Sequence, residues 1–198
     1  VVDEPELVEP DATLSVPEIR HFDAINAELK RLLDEGKRFI RLEGVSGQRL
    51  LVSGLVGTWK AVVDVAGRAG PELAAWTDAP GLVVICRGSA ADGAASGLRG
   101  GQVFVLGHAG AGFGYNLAGG LALVVGTAGA RAGLRQQGGD LILLGECGRL
   151  AGERQSGGRL FLGQGPHGPY VGRGRFAGRL ISLAARQEIP EASLIEPD

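Results

Sequence analysis

The sequence predicts an all-β solenoid, a parallel β-helix of about seven coils behind a short N-terminal α/β cap. Three observations carry this. Of 35 glycines, only Gly36 precedes residue 44. From Gly88 the chain divides into consecutive units of nineteen residues: Gly88–Leu106, Gly107–Val125, Gly126–Leu144 and Gly145–Gly163, then Gly165–Leu183 after the single residue Gln164. Most units close on a short apolar run. A fixed period near twenty marks stacked repeats. Several interior glycines per unit would abolish helices at about 1 kcal/mol each, and leucine-rich repeats need a different Leu/Asn spacing. Coils of short strands stacked about 4.8 Å apart fit instead, and a nineteen-residue perimeter of up to ~60 Å allows three short sides and their corners.

Residues 1–43 form the cap. Residues 1–14 are acidic and Pro-containing, a strand or a flexible arm. A helix over 17–35 follows, with Ser15 or Val16 as cap, Pro17 in the first turn and Gly36 as the stop. Ile19, Phe22, Ile25, Leu29, Leu32 and Leu33 make one apolar stripe along it. The stretch KRFIRLEGV alternates as a strand does.

The β-helix occupies 44–183 and a tail 184–198. Its first two turns, Gly44–Ala66 and Gly67–Arg87, are longer and looser than the rest. The shared unit pattern is glycine at positions 1, 4 and 8, a small pair at 13 and 14, and apolar residues to 19. Gly107, Gly110, Gly114, Gly119 and Gly120 show it, as do Gly126, Gly129, Gly133, Gly138 and Gly139, and again Gly145, Gly148, Gly152, Gly157 and Gly158. These glycines are expected to turn corners or to let one coil lie close on the next.

Side chains alternate along each closing strand. Position 15 is often polar (Gln102, Asp140, Arg159, Arg179), so 16 and 18 face inward. Positions 17 and 19 then face outward, yet Phe104, Leu106, Leu123, Val125, Ile142 and Leu144 are all apolar. Such a face is expected to be covered. The helix 17–35 would cover part of it, and a partner subunit or a second β-helix the rest.

The formal net charge is −2 and the pI near 6.0, which favours neither nucleic acid nor an anionic membrane surface. No segment has the ~18 continuous apolar residues of a spanning helix, and the acidic start does not resemble a signal peptide. A cytoplasmic protein is expected. Cys86 and Cys147 have no CxxC neighbour and read as reduced core thiols. His21, His108 and His167 are dispersed, short of the three or four converging ligands a metal needs. Ser46, Ser96 and Ser156 lack a G-x-S-x-G elbow, and Asp92, Asp140, Glu146 and Glu153 share no coil position, unlike a sugar-cleaving carboxylate pair. Gly110–Gly114 has the look of a phosphate loop, but it repeats in register with its neighbours and leads to a strand, not a helix. Arg173, Arg175 and Arg179 near the last Gly-rich turn read as a solvated face, with an anion or a partner carboxylate as the sharper alternative. No catalytic, cofactor-binding or metal residue is assigned.

The repeat units, the stretch AINAELKRLLDEGKRFIRLEGVSGQRLLVSGLVG and the late GPYVGRGRFAGRLISL together resemble the GXGXG domain. That domain is the right-handed β-helix that closes the large subunit of bacterial glutamate synthases. It also occurs as a separate subunit in archaeal-type and N-methylglutamate synthase-like systems. The resemblance covers roughly residues 17–183 and implies a right-handed coil. It further implies a non-catalytic scaffold in a glutamate synthase-like complex of glutamine amidotransferase and oxidoreductase parts. FMN and iron–sulfur clusters would then sit in partner subunits, with no cofactor in this chain. The pattern departs from that family in lacking an N-terminal Cys nucleophile and in having only two cysteines, too few for a cluster. The chain is also similar to the related β-helical subunit of formylmethanofuran dehydrogenase and of the bacterial formyltransferase/hydrolase complex, which implies a scaffold for different partners. An independent β-helical hydrolase is the third reading.

Overall fold

A computed structural model describes residues 9–189; the first eight residues of the N-terminal arm and the end of the tail, from 190, lie outside them. Among these residues, ten strands form one sheet in chain order. They are β1 (Ala12–Ser15), β2 (Phe39–Ser46), β3 (Ala61–Arg68), β4 (Asp78–Cys86) and β5 (Gly100–Val105), then β6 (Leu121–Val124), β7 (Asp140–Leu143), β8 (Ser156–Leu162), β9 (Ala177–Ser182) and β10 (Gln187–Glu188). Neighbours from β1 to β9 pair in parallel, and β10 turns back antiparallel on β9.

Register follows the repeat. Val103 pairs with Ala122, Ala122 with Leu141 and Leu141 with Leu160, nineteen residues apart each time. Val63 pairs with Val84 and Ile40 with Val63, the longer offsets of the two loose turns. Parallel strands joined by whole coils in this order make a β-solenoid of about seven turns, as the repeat predicts. Inward positions are sealed: Val103, Val105, Ala122, Val124, Leu141, Leu143, Leu160 and Leu162 are all buried.

The three-sided cross-section is only partly present, because one side alone is a continuous sheet. A second contact line holds one bridge per coil, running Ala69, Ala90, Ala109, Ala128, Cys147 and His167. The remaining arc is built from turns with left-handed residues at alternate positions. Arg131, Gly133 and Arg135 share this pattern with Leu150, Gly152 and Arg154 one coil later. Their N–H groups still find partners. Arg131 and Arg135 donate forward to the carbonyls of Arg149 and Glu153, and Gly133 donates back to Phe113. The arc is therefore hydrogen-bonded from coil to coil without being a strand.

The glycine columns have two distinct causes. Gly112 sits at φ +68 on the left-handed arc, where a Cβ would meet nothing closer than Tyr115 Cβ at 3.9 Å. Gly157 has no such φ, but its Cβ would lie 2.1 Å from the Gln137 carbonyl oxygen in the coil before. One glycine serves backbone conformation and the other serves coil-to-coil approach.

The helix predicted over 17–35 is two: α1 (Val16–Ile19) and α2 (Phe22–Asp34), broken at Arg20, whose φ is +69. Ile25, Leu29, Leu32 and Leu33 of α2 are buried in one core cluster with Leu51, Val52 and Leu55 of the first coil. Asn26 locks the seat, with Nδ2 donating to Leu50 O at 2.7 Å and Oδ1 accepting from Val52 N at 2.8 Å. The helix thus plugs the N-terminal end of the solenoid. It does not shield the outer face of the later strands, contrary to the sequence expectation.

Candidate functional site

Three surfaces gather polar or reactive chemistry, or leave apolar groups exposed. The first is the outer face of the sheet. Phe104, Leu123 and Ile142 form one half-buried column, continued by Phe161 and Ile181. Beside it Leu106, Val125 and Leu144 stand 42%, 43% and 41% exposed. Strand alternation dictates the first column, since its neighbours at 16 and 18 fill the core, and the second column is the residue that follows the end of each strand. The Arg159 guanidinium edges the face, holding the Asp140 carboxylate through two bonds of 2.6 Å and lying over the Phe161 ring. Toward the N-terminus the same outward column becomes Ile85, Asp64 and Arg41. Asp64 is 1% exposed and accepts from Arg41 Nε at 3.0 Å and Arg87 Nε at 2.6 Å. The single Asp within AVVDVAG is the sequence signal for this pair of bridges.

The second surface is the left-handed arc of the last three coils. Arg131, Arg135, Arg149, Arg154, Arg173 and Arg175 lie along it against the single acid Glu153, on a chain whose net charge is −2. A cavity of about 430 Å³ is lined by Tyr115, Arg131, Leu134, Arg135, Glu153 and Arg154. An adjoining groove of about 710 Å³ shares Arg135 and Arg154 and adds Asn116, Gln137, Ser156 and Phe176. Arg131 bridges Glu153 at 3.3 Å, Arg173 stacks over the Tyr170 ring, and Arg175 donates to Gly178 O at 3.4 Å. Among the described residues, no carboxylate or carbonyl engages the side chains of Arg135 and Arg154. Arg179, grouped with Arg173 and Arg175 in the sequence, lies on β9 and bridges Glu188 instead. Coil position, more than nearness in sequence, decides which arginines meet.

The third is a thiol beside an imidazole. Cys147 and His167 occupy the same rung of consecutive coils, and Sγ lies 3.4 Å from Nδ1. Burial raises the Cys147 thiol above its ordinary range, with the Gly168 N–H opposing the shift. Desolvation lowers His167, with the Gly163 carbonyl opposing it. The pair is therefore a neutral thiol beside a neutral imidazole. Once the one-residue insertion at Gln164 is allowed for, the repeat itself gives Cys147 and His167 equal coil positions.

The remaining candidates have structural surroundings. His108 Nδ1 accepts from Thr127 N at 3.0 Å, bridging two coils, and His21 immediately precedes α2. Ser96 is buried, and Ser156 Oγ donates to Gln136 O at 3.4 Å. Both cysteines are free and buried. Gly110–Gly114 lies on the turn arc and leads to β6, as its register predicts. No group of three or more His, Cys, Asp or Glu converges among the described residues, and no helix among them is long and apolar enough to cross a membrane. No family model, curated protein or solved structure matches the chain.

Proposed function

We propose that this chain is a structural subunit of a glutamate synthase-like complex, with the outer face of its sheet as the docking surface for partner subunits. The observation that carries the docking role is the uncovered apolar stripe at Leu106, Val125 and Leu144. Exposed apolar surface of this continuity is characteristic of protein–protein contact. The solenoid supports the role mechanically, because each coil is bonded to the next and the N-terminal end is plugged by α2. The choice of complex rests on the resemblance of the glycine repeat to the GXGXG domain. In that assembly, flavin and iron–sulfur chemistry would belong to the partners, and this chain would set their spacing.

Native purification followed by mass spectrometry tests the reading. A flavin-containing synthase subunit and a glutaminase-like subunit are expected to co-purify. A metal-dependent amidohydrolase or formyltransferase in their place would reassign the scaffold to the formyl-transfer complexes. Recovery of the chain alone would overturn both. Turnover of ester or glycan substrates by the purified chain would turn the assignment to an independent hydrolase.

A further inference from the structure

We infer that the groove beneath Arg135 and Arg154 binds a small dianion, either a phosphate ester or a dicarboxylate. The two arginines occupy the same position of consecutive coils, so their side chains leave the backbone in register, about 4.8 Å apart. Both have left-handed backbones, at φ +56 and +54. The same position holds Gly54, Gly97 and Gly174 in other coils and Trp76 and Asn116 in two more, at φ +58 and +54, so the fold accepts glycine there as well as a side chain.

Electrostatics point the same way. Two guanidinium groups one coil apart repel, and among the described residues neither is neutralised. The one carboxylate in the adjoining cavity, Glu153, is already taken by Arg131 at 3.3 Å. An oxyanion placed between the two forks would relieve the repulsion and accept several charge-assisted bonds. Uncharged groups complete the lining: the amides of Asn116 and Gln137 and the hydroxyl of Ser156. Phe176, 80% exposed, forms an apolar wall at the C-terminal edge. The spaces of about 430 and 710 Å³ suit a small molecule. A nucleic-acid strand would need a longer run of aligned cations than this pair.

Titration calorimetry on the full chain tests this, with glycerol 3-phosphate and succinate as separate probes at about 0.01 M salt, where screening reaches about 30 Å. Saturable binding of one probe or both is expected; glycerol 3-phosphate alone assigns a phosphate ester, and succinate alone a dicarboxylate. Arg135→Gly and Arg154→Gly should each weaken binding about tenfold or more. Both keep the fold, since other coils carry glycine there, and an unchanged melting temperature verifies it. Arg68→Ala, at the end of β3, should bind as the parent does. Absence of saturable binding for both probes, or equal weakening by Arg68→Ala, overturns the proposal.

Discussion

Cys147 Sγ and His167 Nδ1 stand 3.4 Å apart because the repeat places both at the bridge rung of adjacent coils. In earlier coils that rung holds alanine, and the last one ends in an imidazole facing solvent. Their shifts run in opposite directions, and each favours the neutral form.

Stability should therefore fall on both sides of a plateau. The imidazole is lowered in the fold from its ordinary 6.5, so the unfolded chain binds the proton first and stability drops as pH falls through that value. The thiol is raised from its ordinary 9.0, so stability drops as pH climbs past it, and buried Cys86 adds to this limb. Asp11, Glu28 and Asp34 are held low by their donors and act only at more acidic pH. Urea melts from pH 4.5 to 10 check this. His167→Gln should flatten the decline just below neutrality, and an unaltered decline would contradict the assignment. Iodoacetamide labelling of Cys147 should be slow at neutral pH and accelerate above the ordinary thiol range.

Asp64 anchors the N-terminal end of the outer face. Asp64→Ala removes two bridges at once and should cost about 2 kcal/mol. The loss stays below that of a fully buried pair because Arg41 and Arg87 can both turn to solvent, being 32% and 53% exposed. Arg41→Ala or Arg87→Ala alone should cost less, since the other arginine keeps the carboxylate paired. A single-arginine loss as large as that of Asp64→Ala would show that the two bridges act as one unit.

The two classes of glycine should separate by alanine substitution. At Gly112 the added Cβ has room, so Gly112→Ala should cost only the left-handed backbone preference, about 1–2 kcal/mol. At Gly157 it would strike the Gln137 carbonyl oxygen at 2.1 Å, and backbone cannot yield as a side chain does. Gly157→Ala should therefore cost more than about 3 kcal/mol or prevent folding. Equal costs in denaturant titrations would mean that one cause underlies both columns.

Coil boundaries are legible in the sequence because stacking demands a constant register: the offsets of 19 from Val103 to Leu160 are the spacing of the glycine units. Inward and outward strand positions are legible because alternation is local. The left-handed arc is not, since Leu150, Arg131 and Tyr170 hold positive φ that coil-to-coil bonding imposes against their own preference. The break at Arg20 is hidden for a similar reason, as the apolar stripe runs on through it. Arg135 and Arg154 give no local signal because they lie nineteen residues apart, and only the coil brings them side by side.

On the docking reading, charge on the outer stripe should separate assembly from folding. Val125→Lys and Leu144→Lys replace side chains already more than 40% exposed, so each should change stability by no more than about 0.5 kcal/mol. Capture of partner subunits should be lost, as should any self-association seen by light scattering at high concentration. Retained assembly in the double variant would move the docking surface elsewhere.

Inside the last coils, two fully buried glutamines stand where earlier coils have Leu98 and Leu117. Gln136 Nε2 donates to the carbonyls of Gly138, Gly139 and Arg159 at 3.0–3.2 Å, while its Oε1 accepts from Gln155 Nε2 at 3.2 Å. Gln155 Oε1 is buried without a partner among the described residues. Gln136→Leu should then cost about 1–3 kcal/mol, because it removes a shared donor and leaves the Gln155 amide without its side-chain acceptor. Gln155→Leu should cost less, since it also removes the orphaned oxygen. The double variant restores the leucine column of the earlier coils and should fall short of the sum by about 1 kcal/mol. Additivity within about 0.3–0.5 kcal/mol would mean the two amides do not act as a ladder.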